Sequence, residues 1–223
     1  MKRPIPTARL VSYGLGMIFY ACGACLATKA ELGLTPVTSV SYVLSLSSGL
    51  TLGTVMLFYN LFMLMVERVV YGKDFQRRVY LQLPLSILFS AIVDGFVYLF
   101  RDLCPTGIAA RFGVFFLAIF LMSLGITGTI CGNIIPLPAE GVVQAFVFRL
   151  RTDFGPTKLV HDCILVAATV ITSLIFLQRI EGIQIGTLIA AVSLGPLSKM
   201  CMGRVQPVIQ RLDPTVLAFE KGK

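Results

Sequence analysis

The feature that most limits how this chain can fold is its set of six long apolar runs. They occupy about residues 10–30, 52–70, 79–100, 112–131, 156–177 and 183–202. Each is close to the about 20 residues a helix needs to cross a hydrocarbon core roughly 30 Å thick. Lipid offers the backbone no hydrogen bonds, so runs of this length predict helices that satisfy their own amides. Of the 223 residues, 56% are hydrophobic and 13% charged, against about a quarter charged in a usual globular domain. The expectation is an all-α, polytopic membrane helix bundle of six crossings, forming a single membrane domain over 1–223.

Two further apolar segments are too short to cross. The first lies in AELGLTPVTSVSYVLSLSSGLTLG (residues 30–53) and the second in GNIIPLPAEGVVQAFVFRLRTDFG (residues 132–155). Glycines and prolines interrupt both, and such segments at matching places in two halves of a chain point to a transporter's binding site. Their places do match. A shift of 102 residues lays Pro36 on Pro138, Gly23 on Gly125, Gly53 on Gly155, Leu57 on Leu159, Gln82 on Gln184 and Asn60 on Asp162. A first repeat over 9–100 and a second over 111–202 follow, with 203–223 as a tail. Three crossings per repeat would insert the second half upside down, an inverted-topology arrangement.

The charge pattern sets an expected orientation. Lys2, Arg3 and Arg9, then Arg68, Lys73, Arg77 and Arg78, then Arg149, Arg151 and Lys158, then Lys199, Arg204 and Arg211 all fall on one side of six crossings. By the excess of Lys and Arg on the cytoplasmic side, both termini are expected there. The net charge of +8 is thus read as topology, with no nucleic-acid partner. The first run is longer than a signal peptide's apolar core and is read as a retained helix. Cys22 and Cys25 share a CxxC spacing, but no second pair or nearby histidine completes a metal site. Neither a metal nor a cofactor is expected. No phosphate-binding loop, HExxH or Ser/His/Asp pattern is visible, so no catalytic residue and no enzyme is expected.

The strings AELGLTP, LTLGTVM and IQIGTLIAAVSLGPLSK resemble the repeated motifs of the YczE/YyaS/YitT family of bacterial membrane proteins. That family often has Trp after the first motif's proline, where this chain has Val37. Some YitT-like members carry a soluble C-terminal domain, for which this chain has no room. The resemblance implies a multi-pass protein of the bacterial inner membrane.

Several polar residues stand out against the apolar background. Asn60 and Asp162 each lie eight residues into a span, about 12 Å deep at 1.5 Å per residue and near the bilayer midplane. A carboxylate there faces the bundle interior and needs a partner, and Lys158 is one helical turn away. The functional reading is a substrate or proton site; the structural reading is an ion pair or an interhelical hydrogen bond. His161, the only histidine, adjoins Asp162 and would suit a proton relay or a simple hydrogen bond. Pro36 and Pro138 open the short segments, whose N-termini would suit an anion if they re-enter the membrane. Thr35 and Thr38 would add hydroxyls, Gln144 an amide, while Glu140 would compete for the site or hold a proton or cation. If the segments lie at the interface instead, Arg149 and Arg151 snorkel to headgroups. Asp94 is read as a carboxylate reaching the interface. Together these predict a secondary transporter of a small, anionic or other solute working by alternating access, with the lipid bilayer and a second copy of the chain as partners. The alternative is a non-transporting membrane accessory protein.

Overall fold

A computed structural model describes residues 7–212, so Lys2, Arg3 and most of the expected tail lie outside the described residues. The elements are helices: α1 (Thr7–Ala30), α2 (Pro36–Ser48), α3 (Leu52–Tyr71), α4 (Gln82–Leu99), α5 (Ile108–Gly132), α6 (Pro138–Leu150), α7 (Phe154–Leu177) and α8 (Ile185–Leu212), with two 3-10 turns between α3 and α4. Six are long and apolar enough to cross a membrane, and no strand occurs among the described residues. The chain is a multi-pass membrane protein built as a helical bundle.

Local chemistry sets the boundaries. Thr35 caps α2, its side chain accepting the Thr38 amide, and Pro36 follows in the first turn, where its missing N–H costs nothing. Gly49 ends α2 in the left-handed conformation, φ 72°, its N–H returning to the Ser45 carbonyl. Thr51 repeats the cap for α3, and Pro138 opens α6 as Pro36 opens α2. Under the 102-residue shift the bounds of α2 become those of α6, and the start of α3 becomes the start of α7. The left-handed residues shift onto one another as well: Glu31 (φ 52°) onto Asn133 (φ 45°), and Gly49 onto Arg151 (φ 54°).

At the centre α1 and α5 run antiparallel with backbones almost touching. A Cβ added to Gly125 would sit 2.5 Å from the Tyr20 amide nitrogen, and one on Gly23 would meet Met122 at 2.6 Å. These two contacts exchange under the shift. In lipid, where apolar surface gives helices no reason to associate, small residues that allow this approach supply packing contacts and close Cα–H···O geometry. Around the pair, α4 packs on α1 and α8 on α5. The short helices cross over: α2 packs on α7, and α6 on α3, with Val40, Tyr59, Met63, Ala139, Val142 and Leu165 forming one buried cluster between the halves.

Three details differ from the sequence reading. A proline at position 84, inside the third apolar run, predicts a bend there, but α4 begins at Gln82, so Pro84 falls in its first turn and displaces no internal hydrogen bond. The sixth crossing was expected to end near Met202, yet α8 continues to Leu212 through Pro196 and Pro207. Asp94 is not a free carboxylate near the end of its crossing. It accepts the Gly53 amide and the Thr51 hydroxyl, each at 2.7 Å, and so caps the start of α3.

Candidate functional site

The N-terminal parts of α2 and α6 are buried in the bundle while their C-terminal ends are exposed. Thr35 and Thr38 are buried, but the Thr35 hydroxyl donates to that of Thr38 at 2.9 Å and accepts its amide. Their hydrogen bonds close the helix end on itself instead of offering it outward. At α6 no side chain caps Leu137; Glu140, in the first turn, adds its carboxyl beside the positive end of the helix dipole. At Pro36 the capping bonds are thereby made within the chain, while at Pro138 the first turn has no side-chain cap and carries the Glu140 carboxyl beside it.

On α7 the geometry agrees with the spacing argument. Lys158 donates to the Asp162 carboxylate at 2.5 Å, one turn away, and both side chains retain under a third of their exposure. His161 Nδ1 lies 3.2 Å from the same carboxylate oxygen, while Nε2 is buried and has no partner among the described residues. Glu140 lies within electrostatic reach of Lys158 and Asp162. Asn60 is buried at 9% exposure and no hydrogen bond joins it to Asp162. Its neighbour Tyr59 carries a buried, unpartnered hydroxyl, as does Tyr13 on α1. The register therefore pairs Asn60 with Asp162 by position, not by contact.

Cavities open at both ends of the α1–α5 pair. One, of about 760 Å³, is lined by Arg9, Glu67, Tyr71, Asn133, Glu140 and Gln144 among others. At the other end, about 28 Å along α1 from Arg9 to Thr28, a cavity of about 430 Å³ is lined by Thr28, Glu31, Tyr42, Leu46 and Arg111. Shifted by 102 residues, this second set becomes Ile130, Asn133, Gln144, Phe148 and Arg9 in order of the α1, α2 and α5 positions, all of which line the first cavity. The polar contacts that close α1 against α5 follow the same rule. Arg9 Nε donates to the Gly132 carbonyl at 2.9 Å and its Nη2 to that of Asn133, while Arg111 pairs with Glu31 at 2.9 Å. An Arg at the start of one helix thus clasps the end of the other, once at each end of the bundle.

The residue that sequence reasoning passed over is Glu67. It falls within α3, is only 2% exposed, lines the Arg9-end cavity, and receives a 3.0 Å hydrogen bond from Gln82 Nε2. Its shifted counterpart is Thr169, whose hydroxyl lies 3.1 Å from that of Ser39; Glu67 in turn abuts Gly141, the counterpart of Ser39. The signal available was an acidic residue inside the second apolar run, three positions before its expected end at residue 70. No group of His, Cys, Asp and Glu able to hold a metal occurs among the described residues.

Among curated proteins and solved structures, none matches the chain significantly. A model of a family of unknown function, DUF6198, matches residues 7–203, which includes all eight helices up to the last turns of α8. The chain belongs to the DUF6198 family.

Proposed function

We propose that this protein is a small secondary transporter or permease that moves a small solute by alternating access between two inverted repeats, 9–100 and 111–202. The observation that carries this reading is the pair of cavities at opposite ends of the bundle, lined by residues that exchange under the repeat register. Two halves with the same fold and opposite direction give each conformation a mirror counterpart, which is what rocking about a fixed site requires. The antiparallel α1–α5 seam, with Gly23 on Met122 and Gly125 on Tyr20, supports an axis lying in the membrane plane. Buried N-terminal halves with exposed C-terminal ends favour re-entrant short helices over interfacial ones.

On this reading the host membrane is a bacterial inner membrane, both termini are cytoplasmic, and the Arg9-end cavity opens inward, as the Lys/Arg bias requires. The resemblance to the YczE/YyaS/YitT proteins is the finer family assignment that accompanies it. On this reading the polar cluster of Glu140, Lys158, His161 and Asp162 is the substrate or proton site, and a homodimer would widen the enclosed path.

The test is a thermal-shift screen of purified protein against a broad set of small metabolites, with wild type and Asp162→Ala in parallel. A ligand that binds only the folded state at 100 times its dissociation constant stabilises it by about 2.7 kcal/mol. A hit lost in the variant, followed by flux of that compound into proteoliposomes, is the expected result. Flux that is unchanged in Asp162→Asn removes Asp162 from the mechanism, and the absence of any hit or flux overturns the transport reading.

A further inference from the structure

The Arg9-end cavity has a chemical character that its counterpart lacks. Two carboxyl groups reach it from the packed seam of α3 and α6: Glu67, 2% exposed, and Glu140, one residue from the glycine that Glu67 abuts. Neither forms an ion pair among the described residues, where every acidic partner in a salt bridge is Glu31, Asp102, Asp162 or Glu181. Glu67 receives only the Gln82 amide, and Gln82 Oε1 behind it is itself buried without a partner.

The cations nearby make no bond to either carboxyl. Arg9 spends its guanidinium on the carbonyls that end α5. Lys158 holds Asp162. Arg78 and Asp74 are both exposed at the mouth, where opposite charges offset one another. Counted over the lining, Arg9 and Arg78 leave one negative charge unmatched among Glu67, Asp74 and Glu140, and a carboxylate as enclosed as Glu67 without a bonded counter-charge costs several kcal/mol. The remaining wall carries two aromatic rings, Tyr71 and Phe148, whose centroids lie 5.5 Å apart, and the Gln144 amide. Carboxylates with aromatic faces are the chemistry that receives an organic ammonium ion, through charge-assisted hydrogen bonds and cation–π contact. At the opposite end the acidic Glu31 and Glu181 are each already paired with an arginine.

We propose that the Arg9-end cavity binds a small organic ammonium cation, held between Glu67 and Glu140 against the Tyr71 and Phe148 rings. The role of that cation as the transported solute rests on the transporter reading; its binding does not.

The experiment measures binding of methylammonium and tetramethylammonium chlorides to the purified full chain by thermal shift and calorimetry. Sodium acetate, sodium phosphate and urea serve as anionic and neutral probes. Wild type is compared with Glu67→Gln, Glu140→Gln and Phe148→Leu. Saturable stabilisation by an ammonium probe is expected, weakened about tenfold or more by either carboxyl-to-amide change and by a smaller factor in Phe148→Leu. Because Glu67→Gln also alters a buried pair, Glu140→Gln decides the matter if the former does not fold. Stabilisation by acetate or phosphate alone overturns the proposal, as does ammonium binding that both amide variants retain. A response to pH with none to either cation also overturns it, since the carboxyls would then take up protons only. Flux in proteoliposomes separates the two readings. Ammonium binding without flux refutes transport and leaves the site, whereas carboxyl-independent flux of an anion refutes the site and leaves transport.

Discussion

Replacing Gly125 by alanine tests the central seam most directly. The added Cβ would lie 2.5 Å from the Tyr20 amide nitrogen and 2.6 Å from its Cβ, about 0.9 Å short of the 3.4 Å at which ordinary contact begins. The obstacle includes the backbone of a helix, which cannot rotate away as a side-chain end can, so α1 and α5 must separate along much of their length. Overpacking costs about 1–3 kcal/mol, and a backbone obstacle places this case at the upper end. Alanine's better helix propensity returns about 1 kcal/mol. The net loss is about 2 kcal/mol, roughly a thirtyfold fall in the folding constant. Gly14→Ala on the same pair of helices is the matched control, because a Cβ there meets nothing within 4 Å; it should gain up to about 1 kcal/mol. The assay is equilibrium unfolding of purified protein in mixed micelles of detergent and SDS. If Gly125→Ala is no less stable than Gly14→Ala, the two helices have slack between them and the seam does not hold the halves together.

Other changes should separate structural from functional polar groups. Asp94→Ala should cost about 1 kcal/mol by uncapping α3, checked by the same unfolding assay, with Asp94→Asn recovering part of it. Lys158→Ala should destabilise by about 1–2 kcal/mol by leaving Asp162 without its cation, less than the 3–5 kcal/mol of a fully buried pair. The double change Lys158→Ala with Asp162→Asn should be the more stable of the two, a coupling that a double-mutant cycle reads directly. Arg111→Ala, which breaks a pair with side chains 41% and 60% exposed, should cost at most about 1 kcal/mol of stability.

Much of the fold was legible because lipid imposes few solutions. The six crossings, the two short helices and their proline starts follow from run length and from glycine and proline placement, and the shift that aligns Pro36 with Pro138 also aligns helix bounds residue for residue. What was hidden depends on which face each helix turns inward. Glu67 reads as one charge near the end of the second run, and only tertiary packing against Gly141 and Gln82 makes it a buried carboxyl. The bond between the Thr35 and Thr38 hydroxyls is likewise a matter of three-dimensional geometry. Spacing correctly put Lys158 beside Asp162, since one helical turn is a local rule. Local rules do not extend to Asn60, whose helix packs chiefly on α4 and α6.

The exchange of short helices between halves has a consequence for how the protein is made. Ser39 on α2 meets Thr169 on α7, 130 residues later in the chain. At a synthesis rate of about 5–20 residues per second, α2 waits on the order of 10 s after leaving the ribosome before its resting place exists. Throughout that interval a helix with five serines and one threonine has no crossing helix of the second half to lie against, and the first half is a partial surface instead of a finished unit. Severing the chain between the halves should therefore yield two fragments that persist only when produced together, and the membrane-insertion machinery must shelter the first until the second arrives.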